Sequence, residues 1–509
     1  MTESLLRSYL SKTNIDSVDA SAAAFYASLD QIASVSPSTA ASIIKELRDQ
    51  RRNLKLIASE NYCSMAVQLA HGNLLTDKYA EGYPNHRFYA GCDNVDAIES
   101  EAVRLACELF GAEHAYVQPH SGADANLVAF LTALSARIEA PLLKQLSEAD
   151  PTKLDRQTWS GIRDAMHNQR LLALDYYSGG HLTHGYRHNF SSQVFDAYYY
   201  SVDPETKLID LDRLRKQLRD VRPFLFLAGY SAYSRKLNFA KLREMADEVG
   251  ALFMVDMAHF SGLVAGKVFT GDYNPVPHAH IVTSTTHKTL RGPRGGFVLC
   301  KKEFAEWVDK GCPSILGGPL PHAITAKGIA FREALTPEFQ TYARKIVENA
   351  QALAEACMGH SMPVLTGGTD NHIVLIDVAQ AFGLTGRQAE TAVRECSLTL
   401  NRNSLPFDSN GPWYTSGLRL GTAASTTLGM GVEEMKETAG VIKFVLSSVS
   451  PAVVASGPKK GETSRAKYIL PTKVKTEACS RVRELLSRYP LYPQIDLDLL
   501  LASQYMKSG

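Results

Sequence analysis

Two motifs in the middle of the chain carry the side chains best suited to chemistry. Asp256 ends the apolar run ALFMVD, and Lys288 lies within TSTTHKT, just before the glycine-rich segment GPRGG. A lysine amine can form a Schiff base with an aldehyde, and a carboxylate can keep a pyridine nitrogen protonated. Burial would lower the pKa of Lys288 and make its neutral amine available. The pair therefore predicts a site for pyridoxal 5′-phosphate.

Asp256 also has two weaker interpretations. It could be an ordinary cap at the end of a strand, or it could form a metal site together with His259. We favour a position that faces a ligand, because open α/β sheets bind ligands at the carboxyl ends of their strands. His259 would then lie near the cofactor ring. The spacing suggests no third metal ligand, so the sequence predicts no metal.

Three further segments could bind the rest of a cofactor and its substrate. Ser121-Gly122-Ala123 offers a hydroxyl and backbone N–H groups to a phosphate just before a helix. In GGHLTHG (179–185), two glycines would let His181 lie flat against a planar ring; a hydrogen-bonded loop pair with His184 is the alternative. Arg419, within the apolar stretch TSGLRLGT, predicts bidentate binding of a carboxylate, with a structural salt bridge as the alternative.

Apolar runs with helices between them indicate the elements that must position these residues. The runs typical of buried strands are AYVQ (115–118), PFLFLAGY (223–230), ALFMVD (251–256), HIVTSTT (280–286) and GFVLC (296–300). This pattern predicts an α/β fold with a mostly parallel sheet covered on both faces. After about residue 335, a long helix and the alternating strand HIVLIDV (372–378) predict a smaller α+β domain. We therefore expect an N-terminal helical arm (1–75), a large domain (76–335) and a C-terminal domain (336–509).

One segment interrupts the sheet pattern. Residues 135–170 are charged, have helical periodicity and contain two prolines. Insertions concentrate in tolerant surface loops. We therefore expect an inserted surface excursion that has no role in the chemistry.

The composition excludes several classes of protein. The chain has 509 residues, with 54 Lys+Arg against 53 Asp+Glu, which argues against nucleic-acid or anionic-membrane partners. Glu3 and Arg7 interrupt the first apolar run, so no signal peptide is predicted. We expect no membrane span, since no uncharged apolar stretch approaches the roughly 20 residues that a span needs. Eight scattered cysteines without a CxxC pair indicate free thiols in a reducing compartment, and hence a cytoplasmic enzyme.

Ten ordered motifs resemble those of the serine hydroxymethyltransferase family. They are LIASENY (56–62), KYAEGYP (78–84), QPHSG (118–122), GGHLTHG, SAYS (231–234), VDMAH (255–259), TTHKT, GPRGG, GGTDNH (367–372) and TSGLRLGT. The resemblance covers residues from about 50 to 440. It implies the fold-type-I pyridoxal-phosphate architecture of aspartate aminotransferase. It also implies at least a homodimer with active sites built across the interface; whether dimers pair into tetramers stays open.

The resemblance also implies roles for individual residues around the cofactor. Lys288 would hold the cofactor covalently, Asp256 would contact the pyridine nitrogen, and the imidazole of His181 would stack on the ring. The phosphate would be bound by Ser121, Gly122, Ala123 and His287, and by Gly317 and Gly318 from the neighbouring subunit. Ser231 and His259 would lie beside the phenolic oxygen. Thr285 is grouped with the catalytic residues.

Substrate residues follow from the same resemblance. Arg419 and Ser59 match the pair that holds the amino-acid carboxylate, and Arg294 is grouped with them. Glu81 matches the acid/base carboxylate, with Tyr79 and Tyr89 lining the same pocket from the other subunit. The residues that match the tetrahydrofolate site are Tyr176, Gly180, His181, Leu182, Asn403, Gly411, Pro412 and Trp413.

The implied reaction is the reversible conversion of L-serine and tetrahydrofolate to glycine and 5,10-methylenetetrahydrofolate. Three departures concern the pocket and not the cofactor chemistry: Phe88 replaces a usual tyrosine, Tyr176 a usual leucine, and Ser314-Ile315 a pair of glycines. A folate-independent aldolase or alanine racemase is the alternative, and it would share Lys288 and the other cofactor residues. A catalytically silent relative is the weakest hypothesis, because the cofactor residues are all present.

Overall fold

The computed structural model describes residues 4–148, 150–458 and 460–506. The strands are β1 Leu54–Lys55, β2 Gly82–Tyr83, β3 His86–Arg87, β4 His114–Tyr116, β5 Gln169–Leu174, β6 Phe195–Tyr200, β7 Leu225–Gly229, β8 Leu252–Asp256, β9 Ile281–Thr285, β10 Gly296–Cys300, β11 Ile373–Asp377, β12 Leu398–Thr399, β13 Asn401–Asn403, β14 Gly417–Gly421, β15 Ser450–Val453 and β16 Thr463–Ile469.

Helices cover both faces of the large sheet and build the two ends of the chain. They are α1 Leu5–Lys12, α2 Ala20–Val35, α3 Pro37–Arg52, α4 Met65–His71, α5 Asp93–Phe110, α6 Gly122–Leu134, α7 Ala140–Gln145, α8 Arg156–Met166, α9 Ser191–Val194, α10 Leu211–Val221, α11 Phe239–Asp247, α12 Ser261–Ala265, α13 Ala305–Asp309, α14 Pro321–Ala334, α15 Pro337–Gly359, α16 Val378–Phe382, α17 Gly386–Glu395, α18 Gly411–Tyr414, α19 Ala423–Thr427, α20 Val432–Leu446, α21 Thr472–Ser487 and α22 Leu497–Ala502.

A seven-stranded sheet forms the centre of the large domain, in the order β4-β10-β9-β8-β7-β5-β6. The strands β6, β5, β7, β8 and β9 are parallel, and β10 runs antiparallel to both β9 and β4. Every residue of β7, β8, β9 and β10 is buried, which explains why these strands read as continuous apolar runs. The prediction of a mostly parallel α/β sheet is confirmed.

The parallel strands bring the ends of β7, β8 and β9 to one edge of the sheet. Asp256 is the last residue of β8 and pairs with Gly229 of β7 and Thr283 of β9. Gly229 has φ +131°, and a Cβ there would lie 2.2 Å from the Asp256 carbonyl oxygen. Only glycine therefore lets β7 approach β8 at the height of this carboxylate.

A second, smaller layer follows the long helix α15. Strands β11, β14 and β13 form an antiparallel sheet in that order, and Arg419 on β14 pairs with Leu375 and Asn401. Its apolar side packs with α15, α17, α20 and α21 into a core separate from that of the large sheet. The short parallel pair of β1 with β12 joins residue Leu54 to this domain. The N-terminal helices α1–α3 pack against residues 491–505.

The segment 135–170 is more closely integrated than a polar surface excursion. A π-helical turn, Ser135–Glu139, continues α6 into α7, and Gln169 and Arg170 already belong to β5. Between them α8 buries Ile162 and places Trp159 over an apolar cavity of about 540 Å³ that also includes Ile315. Between α7 and α8, none of the described residues 146–148 and 150–155 is fully buried.

The helical stretch Gly122–Gln145 is also the one helix among the described residues that is long and apolar enough to cross a membrane. It spans 24 residues, and half of its most apolar part is buried. Its α6 section packs against β9 and β10 and contributes eight buried residues. Packing on the sheet accounts for the apolar character of this helix.

Candidate active site

A pocket of about 390 Å³ opens at the carboxyl edge of the large sheet. It brings together most of the residues that the sequence predicted around the cofactor and the substrate carboxylate. These are Ser59, Ser121, Gly122, Ala123, His181, Ser231, Asp256, His259, Thr285, His287, Lys288, Arg294 and Arg419. They come from strand ends, loops and the start of α6, and the C-terminal domain contributes Arg419.

Asp256 is held by three hydrogen bonds within the protein. The Ala258 N–H donates to Oδ1 at 3.0 Å, while Asn126 Nδ2 and His184 Nε2 donate to Oδ2 at 3.0 and 3.1 Å. Burial alone would raise the pKa of Asp256, but the hydrogen bond and charge of His184 outweigh it, and the pKa lies well below its usual range. Asp256 is therefore a carboxylate suited to hold a proton on a ring nitrogen.

His184 and Asn126 set the orientation of this carboxylate. His184 Nδ1 accepts the His181 backbone N–H at 3.4 Å, which leaves Nε2–H to donate to Asp256. Asn126, on α6, also donates to Thr183 Oγ1 at 2.7 Å and accepts from Thr283 Oγ1 at 2.6 Å. The network links α6, the 179–185 loop and β9 through one buried carboxylate.

His181 lies partly buried above this network. Its Nδ1 accepts the Thr183 backbone N–H at 3.2 Å and lies 2.7 Å from the Thr183 hydroxyl. Burial, with the charge of His184, lowers the pKa of His181 to about 4. A neutral imidazole with an acceptor Nδ1 carries its proton on Nε2. His181 is thus an uncharged flat ring, suited to stack on another.

Lys288 is 8% exposed, and its amine lines the pocket without a hydrogen bond to any described residue. Burial lowers the pKa of Lys288 to about 8, against the opposing attraction of Asp256. A substantial fraction of the amine is therefore neutral near physiological pH. This is the state that a Schiff-base lysine requires.

The start of α6 forms an anion cradle. Ser121 caps the helix by accepting the Asp124 N–H at 3.1 Å, and the N–H groups of Gly122 and Ala123 have no partner within the described chain. A Cβ at Gly122 would lie 2.7 Å from Thr285 Cγ2, so the residue must stay small. Unpaired N–H groups at a helix start attract anions, and this cradle fits a phosphate.

Two further histidines, His259 and His287, line the same pocket. Burial lowers the pKa of His287 to about 3, and its Nδ1 accepts the Gly295 N–H at 3.4 Å. His259 is 3% exposed and its Nδ1 lies 3.3 Å from Nε2 of His372, which in turn lies 3.2 Å from the Ala58 carbonyl oxygen. Both rings are kept neutral by burial, which lowers the pKa of His259 far below its ordinary value.

Arg419 is a cation without an anionic partner among the described residues. Its Nη1 donates to the Ser231 carbonyl at 2.6 Å and its Nε to Asn401 Oδ1 at 3.1 Å. Burial lowers its pKa to about 10, so the guanidinium stays charged. The structural salt bridge considered as an alternative is absent here. A partly buried, unpaired guanidinium in a pocket calls for a carboxylate ligand.

A second pocket of about 300 Å³ adjoins the first and shares His181, Ser231 and Arg419 with it. The residues predicted to contact folate that line it are Tyr176, Gly180, His181, Leu182, Asn403 and Pro412. Gly411 and Trp413 do not line it. Trp413 is 62% exposed and lies under the guanidinium groups of Arg387 and Arg402, 5.4 and 5.8 Å from its ring centre.

Another predicted set lies outside both pockets of this chain. Glu81, Tyr79 and Tyr89 belong to the segment around β2 and β3, and the two tyrosine rings are 5.0 Å apart and about half exposed. Gly317 and Gly318 lie beside them, since a Cβ on Gly318 would be 3.2 Å from Tyr79 Cζ. These residues form one surface patch, which also includes the exposed Phe88.

One cluster in the described chain could in principle hold a metal. Ligand atoms of His181, His184 and Asp256 lie within 4.8 Å of one another. It is not the Asp256–His259 pair that the sequence suggested. The atoms that would bind a metal already form hydrogen bonds: His184 Nε2–H donates to Asp256, and His181 Nδ1 accepts from the Thr183 N–H. The geometry is that of a hydrogen-bonded network.

Sequence reasoning missed three residues that shape the site: Asn126, Thr183 and His372. Asn126 lies in α6 without a recognisable motif, and Thr183 lies inside GGHLTHG between the two histidines. His372 is the last residue of GGTDNH, one of the ten motifs, and this position was the signal that could have found it. For His184 the sequence favoured neither a loop pair nor a site role, and the structure shows contacts to both His181 and Asp256.

The sheet, the Lys288–Asp256 pair and the anion cradle define a fold-type-I pyridoxal-phosphate enzyme. The serine hydroxymethyltransferase family model matches residues 32–145 and 158–442. A serine hydroxymethyltransferase of Treponema pallidum (strain Nichols) is 57% identical over 502 residues, covering 99% of this chain and 87% of that relative. One of Salinispora tropica is 54% identical over 479 residues (94% and 99%), and one of Chlamydia trachomatis serovar L2 is 49% identical over 505 residues (98% and 100%). The chain belongs to the serine hydroxymethyltransferase family.

Proposed function

We propose that this chain interconverts L-serine and tetrahydrofolate with glycine and 5,10-methylenetetrahydrofolate. One observation carries the proposal: the unpaired Arg419 lies where two pockets meet, one with Lys288 and Asp256, the other lined by the residues expected to contact folate. A one-carbon transfer needs an amino acid and its acceptor side by side. Two adjoining pockets with His181, Ser231 and Arg419 in common provide that arrangement.

The residues present fit pyridoxal 5′-phosphate. The free N–H groups of Gly122 and Ala123 would bind the phosphate with Ser121, and Lys288 would hold the aldehyde carbon. Bound there, the cofactor supplies an electron sink for bond breaking at the amino-acid Cα. Thr285 and His287 line the same wall.

Asp256 would keep a proton on the ring nitrogen of the bound cofactor. Its carboxylate is fixed by donors from His184, Asn126 and Ala258, so it needs no reorganisation to stay charged. His181, neutral and oriented by Thr183, lies where it can stack on the ring face. His259 and Ser231 line the same pocket and would lie beside the bound cofactor.

Arg419 and Ser59 orient the substrate through its carboxylate. The guanidinium has Nη2 free for an anion, while Nε and Nη1 are fixed by Asn401 and Ser231. Arg294 is exposed at the rim of the same pocket and adds a second positive charge. The orientation of the carboxylate decides which Cα bond is aligned for cleavage, and hence that the hydroxymethyl group is the one transferred.

Glu81 is the proposed proton carrier between the serine hydroxyl and folate, and it acts in the neighbouring subunit's site. Outside this chain's own pocket, one surface patch contains the exposed Tyr79 and Tyr89 and the half-buried Glu81, Gly317 and Gly318. In a homodimer, this patch would complete the partner's pocket. Such an arrangement would explain how Glu81 can act in the reaction although it lies outside the pocket of its own chain. A cytoplasmic location stays a prediction.

Chemical mapping tests the cofactor assignment. Borohydride reduction of the purified holoenzyme, followed by peptide mapping, should place the pyridoxyl group on Lys288. The matched control is Lys267→Met, which removes a lysine outside the pocket, whose Nζ donates to the Leu109 carbonyl at 2.8 Å. Label on any other lysine, or glycine formation from serine that does not depend on tetrahydrofolate, would contradict the proposal.

Mixing two inactive variants tests the shared site. Glu81→Gln and Lys288→Ala each disable every site of a homodimer, whereas a mixed dimer has one site with both residues intact. Random exchange of subunits should restore about a quarter of the wild-type activity, because half of the dimers are mixed and each has one good site in two. No recovery after verified subunit exchange would mean that Glu81 acts within its own chain or not at all.

A further inference from the structure

Lys327 is the most completely buried lysine of the described chain and has no role in the reaction as proposed. It lies on α14 and is 1% exposed. Its Nζ donates to the carbonyl oxygens of Val117 at 2.6 Å, Pro119 at 2.7 Å and Gly296 at 3.0 Å. No carboxylate of the described residues lies within ion-pair distance, so three backbone carbonyls take the place of an anion.

These carbonyls belong to the two segments that build the phosphate cradle. Val117 and Pro119 lead into Ser121, the cap of α6, and Gly296 is both the last residue of GPRGG and the first of β10. The segments also contact each other, since the Gly296 N–H donates to the Pro119 carbonyl at 2.9 Å. The ammonium group of Lys327 therefore links the segment that leads into α6 to the first residue of β10.

Local geometry shows that space is kept for this side chain. A Cβ on Gly295 would lie 2.4 Å from Lys327 Cε, and one on Gly296 would lie 2.2 Å from the Ser121 carbonyl oxygen. The glycines of the GPRGG motif are thus explained by the path of the lysine and by the close approach of the cradle.

We propose that Lys327 is a positioning residue for the cofactor phosphate, acting through the carbonyls of residues 117–119 and 296. A peptide unit is planar, so a carbonyl held in place fixes the direction of the N–H on the following residue. The Pro119 carbonyl belongs to the Pro119–His120 peptide unit, which lies one residue before the Ser121 cap. Holding this unit restrains the segment that leads into the unpaired N–H groups of Gly122 and Ala123.

Three acceptors match the three N–H bonds of an ammonium, whereas a neutral amine has only two. Burial lowers the pKa of Lys327 to about 7, and the charges of Glu99 and Asp124 oppose this shift. The hydrogen bonds of a charged group are roughly twice as strong as neutral ones, which suits a group that must hold a loop in one conformation.

The test uses two ligands that differ only in the phosphate. Binding of pyridoxal 5′-phosphate and of pyridoxal to the apoprotein is measured by absorbance for the wild type, for Lys327→Met and for the control Lys267→Met. We expect Lys327→Met to weaken pyridoxal 5′-phosphate binding about tenfold or more, through lost charge-assisted bonds. Pyridoxal binding should stay within about twofold, and the control should match the wild type for both ligands.

A merely structural role would weaken both ligands equally or neither, and either result would overturn the inference. Should Lys327→Met not fold, Gly295→Ala displaces the lysine without removing it and must give the same selective loss of pyridoxal 5′-phosphate affinity. An equal loss of affinity for both ligands in Gly295→Ala, or no loss for either, would overturn the inference as well. Methylammonium, which can occupy the three-carbonyl cage in Lys327→Ala, should restore phosphate-dependent affinity.

The inference rests on the proposed function for the identity of the phosphate, and the two fail separately. A wild-type protein that does not bind the cofactor at Lys288 refutes the function, whereas an insensitive variant refutes only the role of Lys327.

Discussion

Replacing Arg419 with lysine separates charge from geometry at the substrate carboxylate. The guanidinium is fixed by Asn401 and Ser231 and has Nη2 free, so it can bind a carboxylate with a planar fork. Lysine keeps the charge but loses one charge-assisted hydrogen bond, which is worth about 1.5–3 kcal/mol. Serine affinity should therefore fall roughly 10- to 100-fold. Removing the charge altogether, in Arg419→Ala, should cost more, because the carboxylate would be buried without a partner.

The assay is a titration of serine and of glycine into each holoenzyme, followed by absorbance of the cofactor. Its spectrum without substrate should not change, because Arg419 is expected to contact the substrate and not the cofactor. Arg235→Lys is the matched control. Arg235 lies four residues after Ser231, which contacts Arg419, but its Nη1 is paired with Asp370 Oδ1 at 3.0 Å. Serine affinity within about threefold of wild type in Arg419→Lys would refute the fork geometry, because a lost charge-assisted bond corresponds to about tenfold or more.

Four other outcomes are expected. The rate at which the apoprotein attaches the cofactor should rise about tenfold per pH unit and level off near pH 8, because only the neutral Lys288 amine attacks; stopped-flow absorbance that is flat from pH 6 to 8 would contradict this. His184→Leu should lower kcat for serine cleavage about tenfold with little change in KM, and His184→Gln, which can still donate to Asp256, should recover part of it. Deleting 147–156 should leave the thermal unfolding midpoint nearly unchanged, whereas deleting 135–170 should prevent folding, since it removes the buried Ile162 and the start of β5. Slow D-alanine formation from L-alanine should be measurable above a Lys288→Ala control but slower than folate-dependent serine cleavage; its absence would remove the racemase alternative.

Periodicity and motifs predicted the large sheet and the pocket residues well, because both follow from local patterns. Strands buried on both faces read as unbroken apolar runs, and Asp256 and Lys288 follow two such runs at the same sheet edge. The fold class and the family are confirmed. The roles of the individual site residues stay predictions, although the structure brings most of them together in one pocket.

Contacts between distant segments could not be predicted in the same way. Asn126 reaches Asp256 across 130 positions of sequence, and its helical neighbours give no sign that its face meets β8. The extent of the 135–170 segment was also hidden, because a π-helical turn lets α6 continue past a charged stretch. The position of Glu81 outside the pocket depends on how copies of the chain assemble, which no local pattern encodes.

The contact between the two ends of the chain has a consequence for the order of folding during synthesis. Arg51 donates from Nε to the Leu491 carbonyl at 2.8 Å, and from Nη2 to Tyr492 at 2.6 Å and Ile495 at 2.8 Å. The apolar side of α1–α3 packs on the same late segment. The helices α1–α3 are synthesised long before residues 491–505, so their apolar face stays uncovered by this segment while the large sheet assembles. Synthesis of residues 491–505, and not of the sheet, therefore permits this docking step.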